Sequence, residues 1–599
     1  MKTFDCIVIG AGHAGAEAAH AAAKIGCKTA LVTISKDTIA KASCNPAIGG
    51  IAKGQIVKEV DALGGIMGIA TDATGIQFRL LNRSKGAAVQ SPRAQIDKYK
   101  YSACIRNLLE QTANLTIVEA LVAEILVEDN QVTGVACTDG RIFNAGAVIV
   151  TTGTFLKGVI HTGAKQWPGG RLNEPAANEL SDCLRKLGLD VQRLKTGTPA
   201  RLDAKTIDFD KTQIQYGDEK PSPFSFLTDS ITRKQIPCWI TYTNEKIHKL
   251  LMDNMDRAPL YTGQIKTTGP RYCPSIETKI LRFSDKTRHQ VFLEPEDEEV
   301  RTIYCNGIST SVPEDVQEQM IKLMAGTENA RIVHYAYAIE YDYCPAIQLK
   351  PSLETKKIKG LFLAGQINGT SGYEEAAGQG IIAGINAARL LDNKEPLVLR
   401  RDQAYIGVMV DDLLTREIDE PYRMFTSRAE WRMSLRSDNA DKRLTQIGRE
   451  IGLVDDVRWK KFQETVAQIK SLIEYLQNTR RGGKTLWEIL KQPQQSIMNE
   501  ILELKLRQDV VESVMTDAKY EGYLVKEEKA IAQYQKDEKL KLPDVLDYDK
   551  VEHLRAEAKE KLKKFKPVTL GQAGRIGGIT PADIMIIQIH LRKKAQKST

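Results

Sequence analysis

The stretch Phe4–Gly15 most constrains what this chain can fold into. An apolar run, Cys6-Ile7-Val8-Ile9, breaks into Gly10-Ala11-Gly12-His13-Ala14-Gly15 and then into alanine-rich sequence through Ile25. Ile7, Val8 and Ile9 read as a strand buried on both faces, and Ala16 to Lys24 as strong helix former, which is the strand-turn-helix order that G-x-G-x-x-G needs. The three glycines have different mechanical roles. Gly10 permits a tight turn, Gly12 admits a pyrophosphate to the backbone, and Gly15 brings helix and sheet together. The helix N-terminus offers N–H groups and a positive dipole end to phosphates. A glycine-rich turn in an ordinary α/β domain is the plainer alternative, and the context favours dinucleotide binding. An acidic residue about 20 positions on usually holds the ribose. Here the second strand, Thr29 to Thr33, runs into Ile34 and Ser35 and the first acid is Asp37, so the ribose contact stays unassigned.

A second cofactor-type unit lies far downstream. Ile358 to Ala364 reads as a strand entering Gly365-Gln366-Ile367-Asn368-Gly369, followed by a small-residue helix from Glu374 to Leu391. Ala147 to Val150 is another buried strand, ending at Thr151-Thr152-Gly153-Thr154, similar to the Ala-Thr-Gly segment by which two-dinucleotide flavoproteins return from a β-meander to the FAD sheet. In such proteins the start of the meander, here about Val122, meets the adenine. Many flavoproteins carry Gly-Asp where this chain has Gly365-Gln366, and an amide can make the same bonds without a charge. Two such units at the ends of one interrupted sheet are better explained by FAD than by NAD alone.

At 599 residues the chain exceeds one ordinary core. No run reaches the ~18 apolar residues of a membrane span, and no signal-peptide pattern precedes the first strand, so a cytoplasmic protein without membrane contact is expected. The 10 cysteines include no CxxC pair or zinc-type spacing, which disfavours a disulfide framework, a disulfide reductase and a structural metal. A net charge of +8 permits a polyanionic partner without requiring one.

Between the two units, Ser43-Cys44-Asn45-Pro46-Ala47-Ile48-Gly49-Gly50 reads as an irregular loop, kept so by Pro46 and the Gly pair. By itself Cys44 is read more readily as an inert thiol than as a nucleophile. Ser91 to Gln111 reads as a helix, and Leu115 to Val127 with Gln131 to Cys137 as paired strands around Asp129-Asn130. From Lys157 to about Tyr335 the βα pattern is lost in a Gly- and Pro-rich insertion. It contains the basic segment Arg193 to Arg201 and Gly269-Pro270-Arg271-Tyr272-Cys273-Pro274, where Arg271 is near enough to favour a Cys273 thiolate; a rigid turn is the open alternative. Beyond Pro396 the composition is helical. Arg428, Arg432 and Arg436 recur at i, i+4 and i+8 and are expected on one helical face, with Arg423, Tyr422, Phe425 and Trp431 close by. Such a face is usually only solvated, but Arg with aromatics also grips phosphates and unpaired bases. Asp549 to Lys566 reads as a charged helix with Val551, Leu554, Leu562 and Phe565 on one side, and Thr580 and Pro581 open a last helix.

Gly10 to Gly15 with His13, the Cys44 to Gly50 loop, Leu194 to Pro199, Gly269 to Phe283, Gly365 to Gly380 and Gly571 to Asp583 together resemble the MnmG (GidA) family. That family is the flavoprotein half of the bacterial enzyme that installs carboxymethylaminomethyl groups on the wobble uridine (U34) of certain tRNAs. The resemblance implies an α/β, FAD-binding Rossmann-like fold of the two-dinucleotide-binding flavoprotein type, with an inserted α+β domain and an all-α C-terminal region. The corresponding divisions are residues 1–156 and 336–396 for the FAD-binding domain, 157–335 for the insertion, 397–540 for a helical domain and 541–599 for a partner-binding domain. It implies FAD held by Gly10, Ala11, Gly12, His13, Ala14, Gly15, Val122, Ser181 and Gln366, and NADH held across Gly269, Pro270, Arg271, Tyr272, Ile276 and Phe283. It implies a homodimer, the GTPase MnmE bound through the C-terminal helices, and methylenetetrahydrofolate as carbon donor.

The chemistry gives Cys44 and Cys273 a purpose and reverses the inert reading of Cys44. Uracil C5 is a poor nucleophile, and a thiolate adding at C6 would make it enolate-like. One thiol attacks and the other serves as acid/base or protective group, in an order left open. An anticodon-loop base can be splayed into such a site, with phosphates on the insertion's basic segment and on Arg423, Arg428, Arg432 and Arg436. A shorter folate- and FAD-dependent tRNA uracil-5-methyltransferase is the nearest rival, disfavoured by the helical region after about residue 400. A flavin-stabilised RNA-binding protein without turnover is the rival from another class.

Overall fold

The computed structural model describes residues 2–267, 269, 274–492, 497, 500–501, 503–543 and 546–597. Its organising layer is a five-stranded parallel sheet built from β1 (Cys6–Ile9), β2 (Thr29–Thr33), β3 (Leu115–Glu119), β4 (Ala147–Val150) and β5 (Leu361–Leu363). The strand order is β5-β4-β1-β2-β3. Strands β1, β2, β4 and β5 are buried along their whole length, as a sheet covered on both faces requires.

Two helices of small residues cover this sheet side by side: α1 (His13–Ile25) and α2 (Tyr373–Leu391). They approach until glycine is required, because a Cβ on Gly380 would lie 2.1 Å from the Ala14 carbonyl oxygen and one on Gly384 2.3 Å from that of Ala18. Backbone contact therefore joins the two distant ends of the cofactor-type domain.

Several local expectations are corrected. The segment 115–127 is two strands of different sheets: β3 ends at Glu119, and Val122–Glu128 starts an antiparallel meander with Gln131–Cys137. The expected turn at Asp129-Asn130 is present, with φ of 49° and 59°, the positive values a two-residue hairpin of this hand needs. Residues 91–111 are a strand, Ser91–Ile96, followed by a helix, Lys98–Glu110. Pairing of Ser91–Ile96 with Gly75–Leu81 overrides its helix-forming residues, and the Asp97 carboxylate accepts the backbone N–H groups of Tyr99 and Lys100 to start the helix. The cysteine loop is less irregular than expected, since Ala47–Gly49 pairs with Arg93–Gln95.

The insertion carries two sheets. One has the order Lys165–Pro168, Val159–Thr162, Tyr337–Tyr343, Gln192–Thr198. The other has six strands, including Arg201–Asp203, Gln290–Pro295 and Thr302–Asn306, over a core of its own that contains Leu202, Leu293, Ile303 and Met320. After α2 the described chain is almost wholly helical, with separate cores around Leu472, Leu490 and Val514 and around Val551, Leu562 and Ile587. Val551, Leu554, Leu562 and Phe565 are buried together as their spacing predicts, although the helix itself is shorter, Ala556–Phe565. Pro581 opens the last helix, and no helix among the described residues is long and apolar enough to cross a membrane.

The architecture is thus a two-dinucleotide-type Rossmann-like sheet with an α+β insertion and an all-α C-terminal region.

Candidate functional site

A cleft with about 1080 Å³ of empty space opens at the carboxyl ends of β1, β2 and β4, where ligands sit in open parallel sheets. Gly10, Ala11, Gly12, His13 and Ala14 form its floor, Val122 and Thr152 line one wall, and Gln366 and Tyr373 come from the second unit. Gly10 has a φ of +96°, and a Cβ there would lie 2.7 Å from the Thr151 carbonyl oxygen. On Gly15 a Cβ would fall 1.8 Å from the Gly10 carbonyl oxygen. Gly12 differs, since nothing lies within 4 Å of its Cβ position: it faces open space. Two of the three glycines thus meet steric demands of the chain, and the third leaves its Cβ position open.

Buried polar atoms point the same way. His13 Nε2 and Thr152 Oγ1 are both buried, both residues line the cleft, and neither atom has a hydrogen-bond partner among the described residues. Such orphans are costly unless a ligand or water meets them. The His13 imidazole stacks on Tyr373 with ring centres 4.4 Å apart and planes 17° apart. Burial, with help from Arg171 and Lys53, lowers its pKa to about 3, so the ring is neutral at pH 7 and carries one N–H. Gln366 Nε2 donates to the Tyr341 hydroxyl at 3.0 Å.

Ser181 does not line the cleft. Its buried hydroxyl donates to Asp342 at 2.6 Å and accepts from Arg185, one residue beyond Leu180, which does line it. Glu174 is the carboxylate among the lining residues, held by Lys41 at 2.9 Å and Arg171 at 2.7 Å. Sequence reasoning passed over this trio. The signal available for it was Gly169-Gly170 ahead of Arg171, which counted only toward the Gly- and Pro-rich character of the insertion.

The cysteine loop borders the cleft. Ser43 lines it, and the Cys44 backbone N–H donates to the Tyr373 hydroxyl at 2.7 Å. The Cys44 Sγ lies 3.1 Å from the Tyr304 hydroxyl, and Arg201 donates to the Ser43 carbonyl at 2.7 Å. On the other side of the loop, Glu374 accepts the Gly49 N–H at 2.7 Å and pairs with Lys53 at 3.0 Å. The first turn of α2 thus touches both cleft and thiol loop.

Pro270, Arg271, Tyr272 and Cys273 lie outside the described residues. Gly269 approaches Lys195, Ile276 is buried at the start of a helix (Ile276–Arg282) capped by Ser275, and Phe283 is 49% exposed just after it.

The expected arginine face is not a helix. Thr426–Arg428 is a single 3-10 turn that ends in extended backbone at Ala429, and Arg401 takes the Arg428 carbonyl. Arg436 is fully buried on Asp438 and Asp517, and Arg428 is half-buried on Asp412 and over the Tyr422 ring. Trp431 is buried against Tyr534, so it packs the core. Arg432 is exposed and Arg423 half-buried beside Phe425.

Residues 5–395 match the family model for glucose inhibited division protein A. Residues 456–528 and 530–599 match models for the tRNA modifying enzyme MnmG/GidA C-terminal helical domain and C-terminal helical bundle. A Rhodopirellula baltica protein named tRNA uridine 5-carboxymethylaminomethyl modification enzyme MnmG is 50% identical over 100% of this chain and 94% of its own length. The Aquifex aeolicus protein of the same name is 50% identical over 99% of each. The solved structure of Aquifex aeolicus GidA in its form I crystal superposes with a TM-score of 0.92 over 98% of this chain and 100% of that one, at 50% identity. With a dinucleotide-type cleft, a bordering thiol loop and matches running from end to end, the chain belongs to the MnmG/GidA family.

Proposed function

We propose that this chain is an FAD-dependent tRNA modification enzyme that builds the carboxymethylaminomethyl, or aminomethyl, group at C5 of the wobble uridine. The observation that carries the reading is the placement of Cys44, whose backbone is bonded to Tyr373, a wall of the dinucleotide-type cleft. The named activity of relatives at about half identity over the whole chain supports the substrate class.

The cleft fits FAD. Gly10 to Gly15 would cradle the pyrophosphate, Val122 would meet the adenine side, His13 and Thr152 would give their unpartnered polar atoms to it, and Gln366 would line it from the second unit. Bound there, FAD supplies the two-electron redox chemistry of the reaction. Cys44 supplies the nucleophile: its thiolate adds to C6 of the flipped uracil, the C5–C6 π electrons move to C5 and O4, and C5 attacks the one-carbon electrophile. Loss of the C5 proton then expels the thiolate and restores the ring. Cys273 is the second thiol of this scheme. NADH bound along Gly269 to Phe283 is the reductant and methylenetetrahydrofolate the carbon donor. The chain acts in the cytoplasm as a homodimer with the GTPase MnmE on its C-terminal helices. Arg423 and Arg432 offer cations to the tRNA backbone.

Reconstitution with tRNA, methylenetetrahydrofolate, NADH, glycine or ammonium as the amine, and the GTPase with GTP, read by nucleoside mass spectrometry, tests the reading. Modified uridine with wild type and none with Cys44→Ser, at equal FAD content, is expected. Wild-type yield from Cys44→Ser overturns the nucleophile, and 5-methyluridine as product overturns the reaction class.

A further inference from the structure

Groups from three elements converge on Cys44. Tyr304, on the strand Thr302–Asn306, has its hydroxyl 3.1 Å from the sulfur. Arg201, on Arg201–Asp203, grips the preceding carbonyl of Ser43 at 2.7 Å and lies 4.8 Å from the centre of the Tyr304 ring. Tyr373, at the start of α2, holds the Cys44 N–H. The stack of Arg201 on Tyr304 is set by the sheet, because the two residues face each other in the antiparallel register of their strands. Tyr337, on Tyr337–Tyr343, is a further titratable group close enough to feel charge on the sulfur.

Behind this layer is a buried charge set. Arg201 pairs with Glu296 at 3.3 Å, and Lys98 pairs with the same carboxylate at 2.6 Å. Burial is the largest single influence on Arg201 and would lower it, and Glu296 together with Tyr304, Tyr337 and Cys44 outweighs burial, so the guanidinium stays charged. Burial would likewise raise Glu296, and Arg201 with Lys98 outweigh it and leave the carboxylate ionised. His334, also near, is held below its ordinary pKa by burial and by Arg201 and is neutral at pH 7. Arg201 is thus a buried cation that lies on the Tyr304 ring and bonds the carbonyl preceding Cys44.

We propose that Tyr304, backed by Arg201, is a positioning pair that holds Cys44 as a thiolate beside the cofactor cleft. The proton leaves Sγ for solvent; Tyr304 keeps its own proton and donates it as a hydrogen bond to S⁻, and no other bond changes. A hydrogen bond and a cation that favour the charged form raise the thiolate fraction at neutral pH. The inference rests on Cys44 being the nucleophile of the proposed function, and its test is independent of turnover.

The experiment is peptide-resolved alkylation of Cys44 by iodoacetamide in the FAD-loaded full chain, followed from about pH 5.5 to 10, where thiols titrate. Tyr304→Phe keeps the ring and removes the donor. It is expected to move the alkylation midpoint up by about one pH unit, a roughly tenfold smaller thiolate fraction below the midpoint. Arg201→Gln is expected to move it the same way, and Arg201→Lys, which keeps the charge and loses the planar stack, by less. Lost packing alone would lower thermal stability without moving the midpoint. A Tyr304→Phe profile superposable on wild type overturns the pair; if that variant does not fold, an unmoved Arg201→Gln profile overturns it equally. Shifted profiles together with full tRNA modification by Cys44→Ser leave the pair standing and remove the nucleophile reading.

Discussion

The imidazole of His13 and the phenol ring of Tyr373 lie nearly parallel with centres 4.4 Å apart, although the two residues come from the opposite ends of an interrupted domain. His13 opens α1 and Tyr373 opens α2, so the stack bridges the two helix N-termini that face the cleft. The hydroxyl of the same Tyr373 accepts the Cys44 N–H. Cofactor cradle and thiol loop therefore share one side chain, and Tyr373→Phe is expected to keep FAD while slowing tRNA modification, as measured by nucleoside yield at equal flavin content.

His13 makes the protein acid-sensitive. Its unfolded pKa is about 6.5 and its folded value about 3, so its contribution is complete above pH 6.5 or so and is lost as pH falls toward the folded value. His20 acts in the same direction, lowered to about 4 chiefly by burial. Glu17 acts oppositely: burial raises it to about 7, which costs stability as pH rises from its ordinary range. His13→Asn should flatten the fall of stability between pH 6.5 and 4.5, by at most about 1.4 kcal/mol per pH unit. Denaturant titrations across that range check it, and an unchanged slope rejects the assignment.

Two glycine substitutions should separate folding from binding. Gly384→Ala drives a methyl group against the Ala18 carbonyl oxygen at 2.3 Å, and should cost about 1–3 kcal/mol or more. Gly12→Ala meets nothing within 4 Å and its φ of −71° suits alanine. It should melt like wild type and elute without bound FAD, which absorbance at the flavin band measures.

The arginines should divide into structural and ligand-facing. Arg436→Ala removes the buried cation shared by Asp438 and Asp517, while Lys442 still reaches Asp517 at 3.1 Å, a loss of about 1–3 kcal/mol because both carboxylates keep contact with water. Arg432→Ala should leave the melting temperature alone and lower the slope of log affinity for tRNA against log salt by about one. Filter binding over a salt series measures this, and an unchanged slope removes Arg432 from the tRNA surface.

Asp583 ties the last helix to its neighbour. The carboxylate accepts from Arg555 and from the Thr580 N–H and hydroxyl, and the Arg555 bond first among these holds its pKa well below the ordinary range. Its contribution is present at neutral pH and is lost as pH falls below about 4. Asp583→Asn should speed amide exchange in Pro581 to Leu591 and leave β1 and β4 protected, as hydrogen exchange read by mass spectrometry reports.

What was legible in the sequence follows from how local each signal is. The β1–α1 turn, the bounds of β2 and β4, the Asp129-Asn130 hairpin turn and the Thr580-Pro581 helix start depend on neighbours in the chain, and these match. Ser91 to Ile96 does not, because its partner Gly75–Leu81 is a tertiary choice that outweighs propensity. The arginines at 428, 432 and 436 have helical spacing, and nothing in that spacing reveals that Arg401 would claim the Arg428 carbonyl. Cys44 was legible as a residue of interest, whereas Tyr304 and Arg201 reach it from strands about 260 and 160 positions away, a pairing that local sequence does not reveal. Arg171 and Glu174 enter the cleft from the insertion for the same reason.

The insertion leaves the parallel sheet at the end of β4 and returns through β5, its immediate neighbour. During synthesis β1 to β4 emerge long before β5 and α2, whose Gly380 and Gly384 close against α1. A nascent chain therefore exposes an unroofed half-cleft, with apolar strand β4 at an open edge, until Leu391 has left the ribosome. The order in which the ribosome delivers these parts makes the dinucleotide-type cleft one of the last features of the amino-terminal two-thirds to close.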